Sequence, residues 1–142
     1  MRKELVVTAM MLASPLALAQ DVQPGLWQIS METRVPAEPG FTPPAMTITQ
    51  CINAQDAKEP GMLFSQMGTP GANNCRYQDR NYHGGNSFTF AMTCKGTYQL
   101  RSKGQVNFTK TSMDGTVTAI ATINDKDVET QSKLSAKRLG EC

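Results

Sequence analysis

Cys75 and Cys94 stand at equal distances from the dipeptide Gly84-Gly85, and that symmetry constrains the chain more than any other feature. Gly-Gly favours a tight hairpin turn, because both central residues of such turns need positive φ and glycine takes it without steric cost. Folding the chain there sets Cys75 opposite Cys94. Strand residues that face each other across an antiparallel ladder have Cα atoms about 4.5–5.5 Å apart, within the reach of a disulfide. The turn therefore predicts a Cys75–Cys94 bridge, and a stable bridge predicts an oxidising compartment. The chain has four cysteines, so the hairpin leaves Cys51 to pair with Cys142. In the chain-entropy account the short loop contributes about 3 kcal/mol and the long one about 4.5 kcal/mol. Structural zinc fits poorly, since there is no C-x-x-C pair and the single histidine, His83, sits at the turn.

The N-terminus points to the same compartment. Arg2 and Lys3 precede an apolar run from Leu5 to Ala19 that ends in Ala17-Leu18-Ala19. A basic start, an apolar centre and an A-x-A end describe a secretory signal peptide over residues 1–19. Residues 20–142 are then one β domain in the periplasm, with secretion as the alternative. Export removes Arg2, Lys3 and Glu4 from the 14 basic and 12 acidic residues, which leaves a net charge of about +1. No like-charge run exceeds Lys137-Arg138, so nucleic acid is not an expected partner. No second apolar stretch could span a bilayer, and a monomer is expected.

Along the exported part, short strands alternate with turn residues. Trp27, Ile29 and Met31 alternate with Gln28, Ser30 and Glu32, as in a strand with one face buried. Residues 34–44 hold Pro36, Pro39, Gly40, Pro43 and Pro44 and read as an extended loop. Met46, Ile48 and Gln50 begin a second alternation. Asn53 with Asp56 predicts a short helix over Asn53 to Lys58, stopped by Pro60-Gly61. Residues 61–74 lack periodicity and read as a mobile loop.

Three hairpins follow. The Gly84-Gly85 turn pairs Tyr77 with Met92, Asp79 with Phe90 and Asn81 with Phe88, leaving Arg76, Gln78, Arg80 and Tyr82 on the wet face. Asp79 is the misfit, because a carboxylate on an apolar face needs a partner. A second turn at Asp114-Gly115 sets Val106 against Ile123 and Phe108 against Ala121. A third, within Asn124-Asp125-Lys126-Asp127, sets Ile123 against Val128 and Val117 against Leu134, with Glu129, Gln131 and Lys133 pointing outward together. Between them, Tyr98 and Leu100 form either a short strand turned back at Lys103-Gly104 or a connecting arm. The pattern predicts an all-β fold of seven to eight strands: a small antiparallel barrel or half-barrel meander with one short helix, a two-sheet sandwich being the runner-up.

Pro24-Gly25-Leu26-Trp27, Gln50-Cys51 before the Asn53 segment, Cys75, Met92-Thr93-Cys94 and the ending Ala136-Lys137-Arg138-Leu139-Gly140-Glu141-Cys142 stand in a recognisable order. Together they resemble a bacterial exported family catalogued as domain of unknown function 3617. The resemblance implies an envelope location, β architecture and paired cysteines, and it supplies no catalytic residues.

Catalysis is not expected. A nucleophilic triad would have to use His83 beside the hairpin tip, where an exposed turn residue is the simpler reading. Asp56 and Asp79 could serve as paired carboxylates, but no spacing brings them together. Asp56 suits a helix N-terminus and Asp79 an ion pair with Arg76 or Arg80. The glycines form no phosphate-cradling motif. Met31, Met46, Met62, Met67, Met92 and Met113 raise a copper(I) question, because thioethers suit soft metals. They are dispersed along strands, so core filling is preferred and no metal or other cofactor is expected. Lys137-Arg138 could hold an anion or a partner's carboxylate, and a solvated strand end is the preferred reading.

Two functions remain. In the first, the barrel holds a small apolar or amphiphilic ligand in a cavity lined by Phe88, Phe90, Met92, Phe108, Ala119, Ala121, Thr130 and Leu134, where Ala119, Ala121, Thr130 and Ser132 leave room. In the second, an envelope protein is bound through loops 34–44 and 61–74.

Overall fold

Asn124 and Asp125 both adopt positive φ (49° and 61°), the condition for the tight turn whose twist matches two right-twisted strands. That turn joins the two longest strands in a computed structural model that describes residues 22–67 and 73–142. The proposed signal segment and part of the 61–74 loop lie outside the described residues. The strands are β1 (Gly25–Arg34), β2 (Met46–Ile52), β3 (Cys75–His83), β4 (Ser87–Lys95), β5 (Gln99–Phe108), β6 (Ser112–Ile123) and β7 (Lys126–Gly140). All belong to one antiparallel sheet in the order β2-β1-β7-β6-β5-β4-β3. The sheet is not closed, so the barrel expectation is met in its open, half-barrel form.

The hairpins form, with registers that correct the expected ones. β3 and β4 pair as predicted from Cys75–Cys94 to Tyr77–Met92, after which a bulge at Gln78 shifts the ladder by one. The shift turns Asp79 outward, opposite Ala91, and brings Arg80 opposite Phe90 and Tyr82 opposite Phe88. A bulge inserts one residue on one strand and so reverses the side-chain faces beyond it. The misfit carboxylate therefore leaves the apolar face, where Asn81 donates to it at 2.6 Å, and the Tyr82 ring packs on Phe88 at 4.6 Å between centroids.

The second hairpin does not turn at Asp114-Gly115. It turns over Thr109 to Ser112, where Thr109 Oγ1 accepts the backbone N–H groups of Thr111 and Ser112 at 3.3 and 3.0 Å. Val106 consequently faces Gly115 and Phe108 faces Met113. The third hairpin sits two residues from the expected register, with Ile123 opposite Lys126 and Val117 opposite Ser132. Lys95 to Gly104 resolves into a turn and the first half of β5, with Gly104 in mid-strand rather than at a reversal.

Asn53 caps as expected, its Oδ1 accepting the Asp56 N–H at 2.8 Å, but only a 3-10 turn (Asp56–Lys58) follows. Pro60 does not stop a helix; it starts one, α1 (Pro60–Met67). Proline suits the first helical position because its missing N–H would be unsatisfied there anyway. β2 and β3 are opposite edges of the sheet, so the segment between them must cross it, and α1 rides over β4 and β5 on the way.

The buried face gathers Trp27, Ile29, Phe88, Phe90, Val106, Phe108, Met113, Val117 and Leu134 around Phe64 of α1. Gly115 makes that approach possible. A Cβ there would stand 2.6 Å from the Gln105 carbonyl and 3.2 Å from the Phe64 ring.

Two bonds tie the sheet's margins. Cys75 bonds Cys94 across β3 and β4, and Cys51 bonds Cys142 with Cα atoms 5.8 Å apart. Leu26 pairs with Cys51 on one side and Gly140 on the other, so the second bond spans β1. Both bridges suit an oxidising compartment. Gly115→Ala is expected to cost about 1–3 kcal/mol in chemical denaturation, because the added methyl meets a strand carbonyl and a packed ring.

Candidate binding surface

The eight residues expected to line a cavity do come together, as core rather than as a cavity wall. Phe88, Phe90, Met92, Phe108, Ala119 and Leu134 are buried, with Ala121 packed against them. Thr130 Oγ1 donates to the Ala119 carbonyl at 3.5 Å. Phe64 of α1 is fully buried in the same core, its ring beside Gly115. The apolar crevice that does open from this face is lined by Ile29, Met31, Met46, Ile48, Met67 and Leu134 and measures about 40 Å³. That holds no drug-sized ligand, for which sites run to about 300 Å³ or more.

The outward face carries a broad recess of about 420 Å³ lined by polar side chains that include Glu32, Gln105, Asn107, Asp114, Thr116 and Lys133. Glu32 and Lys133 face each other on neighbouring strands, and no aromatic platform joins them. It is a solvated sheet face.

The candidate catalytic groups are dispersed. His83 Nε2 lies 2.8 Å from Thr89 Oγ1 at the end of the first hairpin. Asp56 sits in the 3-10 turn and Asp79 on the outward face of β3. Among the described residues no group of three or more His, Cys, Asp or Glu could hold a metal ion. No helix among them is long and apolar enough to cross a membrane. Arg138 has a structural role: its Nε donates to the Pro24 carbonyl at 2.9 Å and its Nη2 reaches Glu141 at 3.3 Å, fastening the entry to β1 against the end of β7.

Tyr82 and Glu59 form a contact that the expected register excluded. The phenol donates to the carboxylate at 3.1 Å. Burial, and then the bond to Glu59, raise the Tyr82 pKa well above the usual 10.0. The fold therefore favours the neutral phenol, and the stability it adds is complete below the unfolded value and lost as pH rises.

The two free edges of the sheet differ. β3 carries the bulge at Gln78 together with Arg76, Asp79 and Arg80, devices that discourage strand addition. β2 reads Met-Thr-Ile-Thr-Gln-Cys-Ile, with no charge, proline or glycine, and pairs with β1 without a bulge. Met46 and Ile48 are 53% and 42% exposed on its apolar side, and Phe41 of the adjoining loop is 56% exposed. The sequence showed β2 as an alternating strand. That it ends up at an edge follows only from the strand order.

Phe64→Ala should lower stability by about 3–5 kcal/mol and open a dry cavity, detectable as new binding of a small hydrocarbon. Between about pH 9 and pH 11, wild-type stability should fall more steeply than that of Tyr82→Phe in denaturant titrations.

Residues 22–142 match the family described as protein of unknown function (DUF3617), and the chain belongs to that family. No curated protein and no solved structure matches it.

Proposed function

With the chain placed in the DUF3617 family, we propose that it is an exported, non-catalytic interaction module that takes up an extended polypeptide segment along β2. The carrying observation is the contrast between the edges, one blunted by charge and a bulge, the other flat and uncharged. An added strand would complete the unpaired backbone groups of β2, and its alternate side chains would rest on Met46 and Ile48. Loop 34–44, with exposed Phe41, lies beside this edge and extends the surface. Residues 61–67 contribute little, because Pro60–Met67 is helix on the apolar face.

The Cys51–Cys142 bond supports this reading. It fastens β2 to the chain end across β1, and an edge held in place loses less conformational freedom on binding. An apolar ligand finds no comparable support on the helix-covered face, where Phe64 is fully buried and the crevice holds about 40 Å³.

The test is selection from a randomised library of extended peptides, followed by amide shift mapping on the isotope-labelled mature domain. Selected peptides should perturb Met46–Ile52, and Ile48→Lys should weaken them about tenfold or more. Failure to select any peptide, or shifts confined to other surfaces, would reject the proposal.

A further inference from the structure

We propose that Met31, Met46 and Met67 form a site for one soft monovalent cation of the copper(I) class. Met31 and Met46 are direct cross-strand partners at the end of the β1–β2 ladder, on the face that α1 covers. Met67, the last residue of α1, lines the same crevice. Elements from distant parts of the chain thus bring three methionine side chains to one crevice. Sequence spacing does not show this juxtaposition, because the three residues belong to β1, β2 and α1.

Core filling still describes Met92 and Met113, which are 1% and 2% exposed. It does not describe Met46, which is 53% exposed while facing Met31. The remaining walls are Ile29, Ile48 and Leu134, so no charged or hydrogen-bonding side chain lines the space. A hard cation would lose its water there and gain no oxygen donor, whereas a neutral thioether is a donor that a soft ion accepts. The crevice holds about 40 Å³, room for a single ion, and the exposure of Met46 leaves a way in. All four thiols are taken up in disulfides, so thioethers are the soft sulfur this chain has to offer. Thioethers carry no proton, so binding here does not compete with protonation as it does at imidazole or thiolate sites.

Silver(I) is the suitable first probe, because it needs no reductant that would threaten the disulfides. The experiment uses the full mature chain, isotope-labelled at the methionine methyl groups. Native mass spectrometry should show one silver ion per chain, with affinity unchanged between about pH 5 and pH 8. The Met31, Met46 and Met67 methyl signals should shift while those of Met92 and Met113 stay in place. Each single change to leucine should weaken binding about tenfold or more, and the triple change should abolish it. Copper(I), kept reduced with ascorbate under anaerobic conditions, should compete for the same site, and zinc(II) should not. The proposal is overturned by no silver binding, by undiminished binding in the triple variant, or by shifts centred on Met62. Met67→Leu, at the end of a short helix, keeps the test decisive if the triple variant does not fold.

Discussion

A sheet with one apolar face has to bury that face, and in this chain no second sheet is present among the described residues to do it. The solution comes from connectivity. β2 and β3 are consecutive in the chain but occupy opposite margins, so the segment joining them must travel the full width of the sheet. It goes across the apolar side, and Phe64 of α1 meets Phe88, Val106 and the space above Gly115. Gly61 completes the approach: a side chain there would run into the Phe88 ring. The helix is short and packs over only part of the sheet, chiefly β4 and β5. At the β2 edge only the helix end, Met67, comes close, and Met46 stays 53% exposed there.

The strands were legible in the sequence because alternation marks which side chains share a face. Their register was legible only to within even steps. Sliding one strand by two residues keeps every side chain on its own side, so Val106 and Phe108 satisfy the apolar pattern opposite Gly115 and Met113 as well as opposite Ile123 and Ala121. Turn chemistry had to decide, and Asp114-Gly115 looked like a stronger turn than Thr109-Lys110-Thr111-Ser112. Gly115 is there for a different reason, the close passage of an aromatic ring. Where the mismatch was odd, at Asp79, the sequence did carry the signal. A carboxylate on the apolar side announced that the ladder must shift, and the Gln78 bulge is that shift.

The surface was harder to read than the fold. Pro60-Gly61 reads as a stop, yet proline also opens helices, and without α1 the sequence pattern does not decide between a filled and a hollow interior. Exposure at β2 depends on strand order, which joins residues far apart in sequence and leaves no mark in local periodicity. The same holds for the Met31, Met46 and Met67 cluster, one member each from β1, β2 and α1. The cysteine pairing was readable because one hairpin isolated one pair and left only one other combination.

The pairing of β1 with β7 has a consequence for how the molecule comes into being. Arg138 reaches the Pro24 carbonyl across a sequence separation of 114, and β1 has no neighbours except β2 and β7. The β3–β7 meander can assemble from local contacts, whereas the first strand has to wait for the last before it finds its place. Loop closure over such a span slows folding. A chain emerging amino-end first therefore carries Trp27 and the rest of its leading hairpin unsheltered until synthesis is nearly complete.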